Sequence, residues 1–305
     1  MNRRFAAVDC GTNALRWLIA EQRGDGVLEP LERELRLVRL GEGVDATGRF
    51  APAAVERTLA ALDECADRIR GAGVQGVRFV ATSAARDVSN ADEFLAAVSA
   101  RLGLPAEIID GTEEAALSFT GALAGVPEPD DPVLITDVGG GSTELVVGTA
   151  GRIELAVSLD IGSVRLTERF WSSDPPSTED VARATAFVDA QLSSMSEVLA
   201  GVRSWVAVGG TATTLAALQL GLDHYDSARV QGAELTGDSL AALADRLAAS
   251  RSAELVSELM PPLRAQVIAA GALICHRIQN LVGDVPCIVS ETDILDGIVI
   301  GLLER

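Results

Sequence analysis

The chain has 305 residues, enough for about two domains that each bury a core. With 48% apolar and 23% charged residues it is neither disordered nor a low-complexity tail, and a formal charge of −19 disfavours bulk binding to nucleic acid or to an anionic membrane. All 25 basic residues are Arg, so any cationic site is built from guanidinium groups, and a Walker-type phosphate loop, which needs Lys, is excluded.

Phe5-Ala6-Ala7-Val8 is a short apolar strand that runs into Asp9-Cys10-Gly11-Thr12-Asn13, and the apolar run 15–20 follows, which predicts a hairpin. Val55, Leu59, Leu62 and Ile69 repeat at helical steps until Gly71 and Gly73 stop the helix. After the apolar run 77–80, Arg86 and Asn90 sit at a strand-to-helix junction, a place that faces the ligand crevice in α/β folds. Asn90 and Glu93 have capping-box spacing and open a helix to about Leu102; in the purely structural alternative Asp87 neutralises Arg86 and Asn90 only caps. Glu113 and Glu114 follow Asp110-Gly111-Thr112 in the first turn of the next helix, with Thr112 as its expected N-cap.

Residues 125–132, with three prolines and three acids, break both periodicities and form the expected linker, dividing the chain into 1–125 and 126–293. A second strand, turn and strand follow: residues 133–136, then Asp137-Val138-Gly139-Gly140-Gly141-Ser142-Thr143-Glu144, then 145–147. Ser177 and Asp180 open a helix expected to run through Leu199. The third turn, Trp205-Val206-Ala207-Val208-Gly209-Gly210-Thr211, leads into a helix expected from Ala212 to Leu220, with further helices over 238–249, 263–282 and from Ile294 to the C-terminus. The Asp-x-Gly hairpin at residue 9 recurs at residue 137, which reads as an internal duplication of two related α/β halves facing each other across a cleft.

Three consecutive glycines let the backbone approach a ligand and point successive N–H groups into one concavity suited to phosphate, with the Ser142 and Thr143 hydroxyls as further donors. Asp137 and Glu144 beside that cradle would repel a bare anion, so they imply a bridging cation, Mg²⁺ or Mn²⁺. Asp9, Gly11, Thr12 and Asn13 would supply the facing half, and Arg16 points either into the cleft or to solvent. If Glu113 or Glu114 faces the cleft it could take a proton from water; the helix terminus lowers its pKa and burial raises it, and the sequence leaves the balance open. His224 and His276 lie near no nucleophile motif, and Cys10, Cys65, Cys275 and Cys287 form no C-x-x-C pair, so metal clusters, disulfides and cysteine chemistry are not expected. The longest apolar stretch, over 267–275, is too short to cross a bilayer, and a cytoplasmic protein with neither a nucleic-acid nor a membrane partner is expected.

Taken in order, residues 8–13, 81–86, 111–115, 137–144, 159–170, 208–211 and 290–297 resemble the exopolyphosphatase and guanosine pentaphosphate phosphatase (Ppx/GppA) family. The resemblance implies two duplicated ribonuclease-H-like domains of the actin, sugar-kinase and Hsp70 superfamily, with the C-terminal helix (294–305) packed back on the first. It implies Glu114 as the base that activates water, with Glu113 beside it, and Asp137 and Glu144 in metal binding and catalysis. Gly139, Gly140, Gly141, Ser142 and Thr143, with Asp9, Gly11, Thr12 and Asn13, would hold the terminal phosphates. Arg16, Arg86, Arg264, Gly209, Gly210 and Thr211 complete the substrate-binding set.

The implied activity is metal-dependent hydrolysis of the terminal phosphoanhydride of inorganic polyphosphate. Guanosine pentaphosphate is the alternative substrate, and a non-catalytic polyphosphate or alarmone sensor is a further reading. A sugar-kinase activity, which would need an adenosine pocket near Gly209-Gly210-Thr211, is disfavoured by the Glu113-Glu114 pair. The family likeness also allows a homodimer. Ala14 stands where the family commonly has Ser or Thr, Asp110 replaces a frequent Ser, and the chain matches the short form of the family.

Overall fold

In the computed structural model, residues 3–24, 28–86, 88–127, 129–149 and 151–303 are described. Glu128 of the expected linker, Asp87 beside Arg86, and residues 304–305 of the expected C-terminal helix lie outside them. Contacts divide the chain into one unit reaching Gly121 and including the segment from Ile294, and a second unit spanning Ala122–Asp293.

The first unit is built on β1 (Arg3–Cys10), β2 (Ala14–Gln22), β3 (Leu28–Leu37), β4 (Gly76–Ala81) and β5 (Ala106–Ile108), in the order β3-β2-β1-β4-β5. β1–β2 and β2–β3 are antiparallel, whereas β1–β4 and β4–β5 are parallel. The second unit uses β6 (Val133–Val138), β7 (Thr143–Thr149), β8 (Arg152–Leu159), β9 (Ser204–Val208), β10 (Glu234–Leu235) and β11 (Cys287–Val289), in the order β8-β7-β6-β9-β11-β10. Its pairings β6–β7 and β7–β8 are antiparallel and β6–β9 and β9–β11 are parallel, so the pattern of the first sheet repeats, with β10 added at the edge. The duplication expected from the two turns is thus a duplication of topology.

A strand buried on both faces needs an unbroken apolar run, and β1 has one. Ala6, Val8 and Cys10 pack on one side with Leu62, Ile69, Phe94 and Val98 from the helices Pro52–Ala72 and Ala91–Leu102. Phe5 and Ala7 pack on the other side with Ile294, Leu295, Ile298 and Val299 of the helix Ile294–Leu303. Each Val, Leu, Ile or Phe among them contributes roughly 1.5–3 kcal/mol when fully buried, and an ion pair from Arg33 to Asp296 at 2.5 Å adds to the docking of that helix.

Several helix ends differ from the expectation. Asn90 does not cap through its side chain: its Oδ1 accepts from Phe50 N and its Nδ2 donates to Phe50 O, so it ties two segments together instead. Asp110 rather than Thr112 caps the helix Gly111–Gly125, its Oδ1 accepting from Glu113 N at 2.8 Å. The negative charge of Asp110 therefore offsets the positive helix end. The expected capping box at Ser177 and Asp180 is present, but its helix ends at Leu192 and a 3₁₀ turn over Ser193–Met195 precedes the short helix Ser196–Ala200. The helix after the third turn starts at Gly209, and the one expected over 263–282 is split into Pro262–Ala265 and Ile268–Val282. Among the described residues no helix is long and apolar enough to cross a membrane.

Candidate functional site

In the first unit the chemistry gathers at the C-terminal edge of the parallel strands, where α/β sheets place ligands. Asp9 and Arg16 are direct cross-strand partners, and Arg16 Nη2 and Nε donate to Asp9 Oδ2 at 2.6 and 2.9 Å. The Arg16 side chain is thereby turned to Asp9 and is mostly buried. Arg86, just after β4, donates from Nη1 to Glu114 Oε2 at 2.8 Å and to the carbonyl of Ile109 at 3.0 Å.

Glu114 is 9% exposed. Burial pushes its carboxyl up to about 7 against the pull of Arg86, with Asp9 adding to the rise and Arg16 opposing it. Glu113, one residue earlier, is exposed and paired with Arg78 at 2.5 Å, which also holds Glu107 at 2.7 Å. Of the two glutamates only Glu114 joins Asp9, Arg16 and Arg86. Cys10 packs in the core, and burial, with Asp9 next, lifts its thiol far above the usual range.

The two glycine turns share one construction. Gly11 N donates to Ala14 O at 2.9 Å and Gly139 N donates to Ser142 O at 3.0 Å, so residues 11–14 and 139–142 are turns of equal length closed by the same bond. In each, a later segment grips the carbonyls from behind. Thr12 O accepts from Gly41 N, and Asn13 O accepts from Val38 N and Arg39 N. Gly139 O accepts from Ser163 N, and Gly140 O accepts from Val164 N and Arg165 N. With the carbonyls anchored, the N–H groups turn to the other side, and those of Thr12, Asn13, Gly140, Gly141 and Ser142 find no acceptor among the described residues. The Thr12 hydroxyl and Asn13 Oδ1 are likewise buried without a hydrogen-bond partner, which is costly unless a ligand supplies one.

The Thr143 hydroxyl, an expected phosphate donor, and the hydroxyl of Thr211 are already engaged. The Thr143 hydroxyl donates to Ile161 O at 2.5 Å and the Thr211 hydroxyl to Val138 O at 2.7 Å, so both brace the turn from within the fold.

Asp137 and Glu144 occupy the register positions that Asp9 and Arg16 hold in the first unit. One hairpin therefore carries an acid with an arginine and the other carries two acids. Glu144 is buried and accepts from the Ser158 hydroxyl at 2.7 Å. A Cβ on Gly209, whose φ is 82°, would lie 2.3 Å from Asp137 Oδ1, and one on Gly210 would lie 2.5 Å from Arg264 Nη2. These glycines let a carboxylate and a guanidinium lie against the start of the helix Gly209–Gln219. No group of three or more His, Cys, Asp and Glu residues forms a metal cage among the described residues. Two adjacent carboxylates instead suit Mg²⁺, which keeps waters and takes its remaining ligands from phosphate oxygens.

Gly41 and Gly162 were missed as parts of the phosphate turns. A Cβ on Gly41 would fall 2.3 Å from Thr12 Cγ2, and one on Gly162 would fall 2.3 Å from Gly140 O. Each follows the third strand of its sheet, so aligning the two halves of the sequence would have revealed the pair. Gly162→Ala is expected to destabilise the protein by about 1–3 kcal/mol through overpacking, read as a lower urea midpoint. An unchanged midpoint would show that the turn can move aside.

Paired sheets of this topology, each with a turn of outward-facing amides at its strand ends, define a duplicated α/β protein of the phosphate-handling class. The Ppx/GppA phosphatase family model matches residues 18–305. Exopolyphosphatase 2 of Mycobacterium tuberculosis is 43% identical over 314 residues, covering 98% of each chain. The crystal structure of an exopolyphosphatase-like protein has a TM-score of 0.93 at 37% identity, covering 99% of this chain and 98% of its own. An Aquifex aeolicus member of the same family has a TM-score of 0.84 at 33% identity, covering 100% of this chain and 98% of its own. The chain belongs to the Ppx/GppA phosphatase family.

Proposed function

We propose that this chain is an exopolyphosphatase that removes orthophosphate from the end of inorganic polyphosphate. The observation that carries this reading is the contrast between the duplicated hairpins. The first hairpin pairs Asp9 with Arg16, whereas the second sets two acids, Asp137 and Glu144, at the same register beside amides that favour an anion, a donor set that suits a divalent cation together with phosphate. Full-length similarity to a protein named exopolyphosphatase supports the same activity.

The amides of each turn, with the Thr12 hydroxyl in the first, would bind phosphate oxygens, and Arg264 would face further phosphate oxygens. Glu114 takes the proton from the attacking water as its oxygen bonds to phosphorus and the P–O bond to the shortened chain breaks. Arg86, donating from Nη1 to its carboxylate, orients Glu114. Asp137 and Glu144 would hold Mg²⁺ or Mn²⁺, which supplies neutralisation of phosphate-oxygen charge.

Incubation with polyphosphate and Mg²⁺ tests the reading, with guanosine pentaphosphate in parallel. Orthophosphate release from polyphosphate that exceeds release from the nucleotide is expected. Release from the nucleotide alone would move the assignment to that substrate, and tight binding without release from either would make the protein a sensor.

A further inference from the structure

The duplicated turns differ in how their last anchored carbonyl is held. Asn13 O, in the first, accepts from two main-chain N–H groups, Val38 at 3.0 Å and Arg39 at 2.9 Å. Its counterpart Gly141 O accepts instead from the side chain of Arg165, through Nε at 2.8 Å. Arg165 thus clasps the triple-glycine turn twice, by its own N–H to Gly140 O at 3.1 Å and by its guanidinium to Gly141 O. Its side chain is 12% exposed, and Nη2 lies 3.7 Å from Asp160.

Three glycines in a row have more conformational freedom than any other tripeptide. A turn made of them has no side chain to fix which way its peptide planes face. The peptide linking Gly141 to Ser142 carries both the carbonyl that Arg165 grips and the Ser142 amide, which points the opposite way. Holding that oxygen therefore aims that N–H.

We infer that Arg165 is a positioning residue of the phosphate turn: its guanidinium locks the Gly141–Ser142 peptide so that the Ser142 amide is directed at the transferred phosphoryl group. This rests on the proposed hydrolysis for its kinetic consequence, although not for its structural one. Arg165 touches neither substrate nor metal in this role, and its charge acts through the carbonyl it holds. Misplacing a group by about 1 Å costs on the order of 10²-fold in rate, and loss of one donor aimed at developing charge costs about 10²–10³-fold.

The test uses the full chain with Arg165→Met and Arg165→Lys. For Arg165→Met, kcat for phosphate release is expected to fall about 10²-fold while KM changes far less, because the lost alignment matters most to developing charge. The half-activating Mg²⁺ concentration and the pH midpoint of the rate are expected to stay put, since Asp137, Glu144 and Glu114 are untouched. Arg165→Lys, or guanidinium added to Arg165→Met, is expected to recover part of the loss. In parallel, amide NMR follows Gly140, Gly141 and Ser142 on titration with inorganic triphosphate. Their shifts are expected in the parent protein and reduced in Arg165→Met, with those of Thr12 and Asn13 retained. A kcat within threefold of the parent would overturn the inference, as would an unaltered response of the Ser142 amide. If the parent protein releases no phosphate, the proposed activity fails, and the amide response still decides the role of Arg165.

Discussion

Replacing Glu114 by glutamine is expected to lower kcat for phosphate release by about 10²- to 10⁴-fold, the span a positioned general base supplies. The amide keeps the size of the carboxyl and cannot take the proton. Because burial has pushed the Glu114 carboxyl up to about 7, only its ionised fraction can act. The rate should then rise with pH through about 7 and fall roughly tenfold per unit below it. Arg86 is the nearest group holding that carboxyl down, so Arg86→Met should shift the rising limb to higher pH.

Stability gives an independent reading of the same group. A carboxyl whose folded-state pKa is raised from 4.5 to about 7 holds its proton more tightly in the native protein. Its contribution is fully present below about 4.5 and is lost as pH rises through about 7. Urea melts at pH 5 and pH 8 should therefore show Glu114→Gln gaining on the parent protein as pH increases. A glutamine variant within tenfold of the parent rate, or a parent rate flat from pH 6 to 8, would sink Glu114 as the base.

Neutralising one member of the acid pair, by Asp137→Asn or Glu144→Gln, is expected to raise the half-activating Mg²⁺ concentration at least about tenfold and to lower kcat. The same substitutions should reduce the rise in melting temperature on adding Mn²⁺. Asp9→Asn disrupts the Asp9–Arg16 pair instead. It is expected to lower activity without moving the metal requirement. An acid-pair variant with unchanged metal dependence, by kinetics and by calorimetry, would place the cation elsewhere.

Both turns and their hairpins were legible from the chain alone because they rest on local chemistry. Glycines mark the close approach of backbone, short apolar runs mark doubly covered strands, and Asp9 and Asp137 recur at equal offsets from Gly11 and Gly139. The Ser177–Asp180 cap was legible for the same reason, since its bonds span three residues. Asn90 has the same spacing to Glu93, yet its amide joins Phe50, forty residues away. That competitor was invisible locally.

Local signals established where the duplicated strands and glycine turns lie and offered Glu113 and Glu114 as candidate bases, with the family resemblance pointing to Glu114. Tertiary packing decided which of the two is buried. Neighbours on a helix point about 100° apart, so contacts distant in sequence turned Glu114 toward Asp9 and Arg86 and left Glu113 with Arg78. Packing likewise spent the Thr143 and Thr211 hydroxyls on carbonyls and recruited Gly41, Gly162 and Arg165 to hold the turns. Each of those bonds joins segments that only the completed sheet brings within reach.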